Sequence, residues 1–181
     1  MRREDLDHVV AAAAQIVGES EFVVVGSQAI LAAHRDAPAT LLRSQEVDIY
    51  PRRAPERAID IDGPLGDGSA FQRAYGYYAH GVGPETAKAP LGWEDRLIAI
   101  EIPPRPASEV RAVALCLEPH DLVLSKLAAN RERDWGFAQE ALAARLVDPG
   151  VLLERIGDLP VNSELLESIT ASLRALIARV P

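Results

Sequence analysis

Two short features in the first third of the chain carry residue types that could do chemistry. The first is Gly26-Ser27, which ends the apolar run "EFVVV" and leads into "QAILAAHR". A strand that turns through glycine into a helix leaves backbone N–H groups free at the positive helix end, and a serine hydroxyl adds a donor. That combination binds phosphate. The second is Glu46-Val47-Asp48 in "EVDIY". Residues two apart on a strand share a face, so the Glu46 and Asp48 carboxylates converge while Val47 and Ile49 point into the core. Two close carboxylates repel each other unless a cation lies between them. Mg²⁺ suits the pair, because it takes oxygen ligands and binds through one or two carboxylates together with substrate phosphates. A phosphate cradle beside a metal-binding strand is the minimal machinery for moving a nucleotidyl group. Taken singly, each feature has a plainer explanation: a tight αβ corner, and an edge strand with its polar face in water. Their conjunction is what points to a site.

Several elements must hold these residues in place. Leu6, Val9, Val10, Ala13, Ile16 and Val17 recur at helical spacing over residues 4–17, and Gly18 ends the run. "EFVVV" predicts a buried strand and "QAILAAHR" a short helix. Residues 36–44, with Pro38, predict a loop, and "EVDIY" a strand stopped by Pro51. The Gly-, Pro- and Asp-rich span 55–70 predicts turn and short helix. "AYGYYAHGV" predicts a strand that its glycines allow to bend. "DRLIAIEI" and "VRAVALCL" predict two more strands, joined by the hairpin-length "PPRPASE".

From Glu118 onward the pattern is helical. "EPHDLVLSKLAAN" has Pro119 at a first helical position, and "RERDWGFAQEALAARL" is expected to continue it. Asp148-Pro149 starts another helix, and "NSELLESITASLRALIARV" is amphipathic with Asn162 or Ser163 as its cap. The expected fold class is α/β (α+β), a mixed sheet flanked by helices. Residues 1–117 would form the core and residues 118–181 a helical region packed on it.

Composition narrows the function classes. A chain of 181 residues, 48% hydrophobic and 25% charged, has the balance of a globular protein with one core. No apolar run approaches the roughly 20 residues that span a bilayer. The opening "MRREDLDHVV" reads as a helix rather than a leader, so a cytoplasmic protein without a membrane partner is expected. The formal net charge of −8 argues against a broad nucleic-acid surface, though a small basic pocket is compatible with it. The single cysteine, Cys116 in "VRAVALCLEP", excludes an internal disulfide framework and reads as a buried, inert thiol.

Other candidates are weaker by pattern. Lys126, Asn130, Arg133 and Asp134 fall near one face of a continuous helix; pattern alone favours a solvated charged face. Arg131 joins that cluster only if the helix breaks near Asn130. Asp60 and Asp62 in "IDIDG" repeat the acid spacing, but Gly63-Pro64 follows at once and the segment reads as a turn. Asp62 and Glu101 are the candidates for a third acid. His8, His34, His80 and His120 share no ligand spacing and read as structural or surface residues.

Gly26-Ser27, a helix and an acid-x-acid strand together resemble the signature of the nucleotidyltransferase superfamily that includes DNA polymerase beta. More narrowly, the chain is similar to nucleotidyltransferase-like bacterial proteins related to AbiEii toxins. The similarity covers "VGSQAIL", "LLRSQEVDIYP", "IDGPLGDGS", "YGYYAHGVGPETA", "GWEDRL" and "CLEPHDLVLSKLAANRERDW". It implies a nucleotidyltransferase-like fold, with Glu46 and Asp48 as catalytic Mg²⁺ ligands and Gly26 and Ser27 at the phosphates. It also implies that Lys126 meets the triphosphate and that Asp134 steers it, with Arg131 beside them. The substrate would be a nucleoside triphosphate, the acceptor an RNA or protein hydroxyl, and the biological partner an antitoxin. Two departures stand out: eighteen residues separate Ser27 from Glu46, more than the usual spacing, and the first acid is Glu rather than Asp. They keep open an alternative, a catalytically inactive nucleotidyltransferase fold that binds nucleotide or a protein partner. A third option is an antitoxin-like protein acting through its amphipathic last helix.

Overall fold

The computed structural model describes residues 1–103 and 111–180. Helix α1 (Arg3–Val17) comes first, ended by Gly18 in the left-handed conformation. Its Leu6, Val9, Val10, Ala13 and Val17 are buried, so most of the predicted apolar stripe is the face that packs, while Ile16 is exposed. Strand β1 (Glu21–Val24) leads into a 3₁₀ helix over Ser27–Ala32, and β2 (Glu46–Pro51) follows. Next come a 3₁₀ turn at Pro55–Ala58, α2 (Ile59–Leu65), α3 (Ala70–Tyr75) and β3 (Tyr78–Gly81). Strands β4 (Ile98–Ile102) and β5 (Ala112–Cys116) complete the sheet. The remainder is helical: α4 (Pro119–Ala129), α5 (Glu132–Ala143), α6 (Pro149–Arg155) and α7 (Ser163–Ile177).

The five strands lie in the order β3-β2-β1-β5-β4. β1 is antiparallel to β2 and parallel to β5, β2 is parallel to β3, and β4 is antiparallel to β5. The sheet is therefore mixed, as expected. Helix α1 crosses one face and touches all five strands. Phe22, Val24, Val47, Ile49, Ala114 and Cys116 point into that layer and are fully buried. On the opposite face the register aligns Val23 with Tyr50 and Leu115, and Asp48 with His80. The chemistry-bearing residues are thus on the face that α1 does not cover.

The short helix expected after Gly26-Ser27 is present, as a six-residue 3₁₀ helix. Three details differ from expectation. Asp60 and Asp62 sit on α2, so "IDIDG" is helical rather than a turn. "AYGYYAHGV" divides at Gly76, its start closing α3 and only Tyr78–Gly81 forming strand. The helix predicted to run through Asn130 stops there, because Asn130 is left-handed with φ 52°. Most of the "PPRPASE" connection lies outside the described residues. Among the described residues, no helix is long and apolar enough to cross a membrane.

Candidate active site

The site is built on β2 where it passes β1 and β3. Ser44 prepares the entry: its hydroxyl accepts from the Glu46 N–H at 3.1 Å and its carbonyl accepts from the buried Gln28 side chain at 2.9 Å. Gln28 follows Ser27, so one amide side chain ties the end of the long loop back to the Gly-Ser turn. This is how the eighteen-residue excursion from Ser27 to Glu46 returns in register. Val25 then donates to the Asp48 carbonyl at 3.1 Å, which brings the turn alongside the acids.

Alternation does what the sequence predicts. Val47 and Ile49 are fully buried, while Glu46 and Asp48 are half-buried on the other face. Gly26 faces Asp48 so closely that a Cβ at position 26 would overlap the Asp48 carboxylate. Its φ of −85° is open to any residue, so the glycine is required by this approach and not by backbone conformation.

The structure adds a residue that sequence reasoning left aside. β3 pairs with β2 so that His80 lies opposite Asp48 and Tyr78 opposite Glu46. His80 Nδ1 is 2.8 Å from Glu46 Oε1 and 3.1 Å from Asp48 Oδ1. One ligand atom from each of Glu46, Asp48 and His80 lies within 4.8 Å of the others. Side-chain rotation can close such a group onto one divalent ion, and two carboxylates with an imidazole are a fitting donor set. The signal available in the sequence was a histidine two residues beyond Tyr78 in an aromatic strand. It was unusable without the β2–β3 register.

Neither candidate third acid joins the group. Glu101 lies on β4, at the far edge of the sheet, and is exposed. Asp62 accepts from the Gly81 N–H at 2.8 Å and so braces β3 from α2. Asp60 pairs with Arg57 at 3.1 Å instead.

The electrostatics follow from this crowding. Burial and the neighbouring Asp48 charge hold the Glu46 carboxyl above its usual range. Burial opposes a charged His80, but the hydrogen bond to Asp48 and the charges of Glu46, Asp48 and Asp62 outweigh it and raise its pKa. Tyr78 is also raised, by burial and by the Glu46 charge.

The break at Asn130 assembles the second cluster. Arg131 becomes the residue before α5, and its Nε donates to Asp134 Oδ2 at 2.6 Å. Asp134 is 1% exposed and its Oδ1 lies 3.7 Å from Lys126 Nζ. Lys126, largely buried, also stands over the Phe137 ring at 4.7 Å. Burial holds the Lys126 pKa below its usual range, although the Asp134 charge, and after it the Asp48 charge, opposes that fall. Arg133, placed near Lys126 by a continuous helix, is exposed. Lys126, Arg131 and Asp134 therefore form one group, and α4, which carries Lys126, packs on the 3₁₀ helix after Gly26.

No curated protein and no solved structure gives a significant match to this chain. A family profile does, over residues 4–172, which takes in β1 and its turn, the acid strand, His80 and the Lys126 block. Both halves of the site and nearly the whole fold are covered by that match, and the chain belongs to the family described as nucleotidyltransferase of unknown function (DUF6036).

Proposed function

We propose that this protein transfers a nucleoside monophosphate from a nucleoside triphosphate to a hydroxyl on RNA or protein. The observation that carries the reading is the convergence of the Glu46 and Asp48 carboxylates against the Gly26 turn, within the field of Lys126. In this reading residues 1–117 supply the acids and the turn, and residues 118–181 supply the lysine group.

A divalent cation held by Glu46 and Asp48, Mg²⁺ by the sequence expectation, would neutralise charge at the α-phosphate and favour the ionised acceptor. The N–H groups of the Gly26-Ser27 turn and the Ser27 hydroxyl hold the outer phosphates. Lys126, oriented by Asp134 and with Arg131 alongside, offsets the charge that builds on them. The acceptor oxygen bonds to the α-phosphorus as the bond to the bridging oxygen breaks. Pyrophosphate leaves with that electron pair, and the hydroxyl proton passes to solvent. The similarity to AbiEii-related proteins supports a cytoplasmic toxin held in check by an antitoxin.

Incubation of the pure protein with each labelled triphosphate, a divalent cation and total RNA tests this. Label should move to RNA or to protein, and Asp48→Ala should abolish it. Absence of both transfer and nucleotide binding under these conditions refutes the reading. A second reading, a non-catalytic nucleotide-binding protein, is favoured by the contact of His80 with both acids. Nucleotide that raises the melting temperature without any transfer would select it.

A further inference from the structure

The third position of the acid group is an imidazole, and that changes which ion the site suits. Three features hold His80 where it is. β2 and β3 pair in register with Asp48 opposite His80. Asp62 accepts from the N–H of the next residue, Gly81, at 2.8 Å. Gly81 itself lies against the backbone carbonyl of Ala58, so closely that a side chain there would collide with it. His80 is thereby clamped from α2 and from β2, and its Nδ1 faces both carboxylates.

Mg²⁺ takes oxygen ligands almost exclusively and tolerates geometric error poorly. Imidazole nitrogen is a ligand of transition ions, whose affinity for nitrogen-containing sites exceeds that of Mg²⁺. Zn²⁺ bound to three protein ligands keeps one open position in its usual geometry, too few for phosphate and acceptor oxygens together. An octahedral ion with mixed nitrogen and oxygen ligands keeps three.

We propose that His80 is the third ligand of this site and that it shifts the preference from Mg²⁺ to an octahedral transition ion, for which Mn²⁺ serves as the paramagnetic probe. The inference rests on the reading of Glu46 and Asp48 as cation ligands. Carboxylates alone also bind Mn²⁺, so the sign to look for is the part of the preference that His80 supplies.

The test is Mn²⁺ titration of the whole protein, followed by electron paramagnetic resonance, with Mg²⁺ as competitor and with pulsed detection of nitrogen coupling. The wild-type protein should bind Mn²⁺ saturably with a ¹⁴N coupling. His80→Asp should lose the coupling and narrow the Mn²⁺-over-Mg²⁺ preference about tenfold or more. His80→Asp sets a third carboxylate beside Glu46 and Asp48, so the metal-free variant should melt below wild type, and its Mg²⁺ binding reports whether the site survives. Saturable Mn²⁺ binding that Asp48→Asn abolishes, but with no nitrogen coupling and the same preference in His80→Asp, overturns the role of His80 and leaves the carboxylate reading intact. No saturable binding of either ion to the wild-type protein overturns both.

Discussion

Glu46 and Asp48 are held at a separation that each would avoid if free. Burial and mutual repulsion raise the Glu46 pKa, and the His80 imidazolium relieves part of the cost. In the metal-free protein His80 should titrate above 6.5, followed by its ring-proton NMR shift. The stability this interaction contributes is complete below 6.5 and is lost as pH rises through the higher folded value. Asp48→Asn removes one of the negative charges that face His80, so the His80 midpoint should fall; an unchanged midpoint would exclude the pairing. The same variant should lower transfer by about 10²-fold or more, since it deletes charge stabilisation at the reacting centre. At this scale the acids were readable, because strand alternation alone puts residues 46 and 48 on one face. His80 was not, because nothing local says which strand lies beside β2.

The elements that carry the site are short, and two of them are shaped by single residues. Gly26→Ala places a methyl group against the Asp48 carboxylate. The expected result is a destabilisation of about 1–3 kcal/mol, the usual range for overpacking, with a disproportionate loss of cation binding and transfer. Chemical denaturation and Mn²⁺ titration on the same sample separate the two effects. Asn130, at φ 52°, ends α4 and starts the turn that brings Arg131 to Asp134. Its side chain also accepts from Trp135 Nε1, a bond that both Asn130→Ala and Asn130→Gly delete. The difference between those variants therefore isolates the backbone: alanine should be the less stable by about 1 kcal/mol, in urea unfolding. The helix patterns around Asn130 were legible, but the break stayed open, since an asparagine can end a helix in the left-handed conformation while a continuous helix also fits the periodicity of "AANRER".

In the whole molecule, a buried ionic junction joins the sheet side to the C-terminal helices. Asp121 is fully buried, with Arg96 Nε at 2.7 Å and Arg155 Nη1 at 3.1 Å. Glu118 caps α4, reaches Arg155 at 2.8 Å and accepts from the His120 ring at 2.5 Å if that nitrogen carries the proton. Asp121→Ala leaves both guanidinium groups short of a partner and should cost about 3–5 kcal/mol in urea unfolding. Burial raises the Glu118 pKa, but His120, the Asp121 N–H and Arg155 together lower it below 4.5. Its stabilisation is therefore present above 4.5 and lost as pH falls through the lower folded value; Glu118→Gln should flatten that acid limb of the stability profile.

None of this junction follows from pattern, because its charges come from segments far apart in the chain. By itself the sequence determined what depends on near neighbours: most of the apolar stripe of α1, the strands, the helix starts at Pro119 and at Asp148-Pro149, and the convergence of Glu46 with Asp48. Only the tertiary structure decided what depends on distant ones. Strand order put His80, not Glu101, beside the acids. The Gln28–Ser44 link returned the long loop in register, and the turn at Asn130 set Lys126, Arg131 and Asp134 into one group. Periodicity encodes which face a residue takes, whereas the neighbour across that face is chosen by packing of the whole chain.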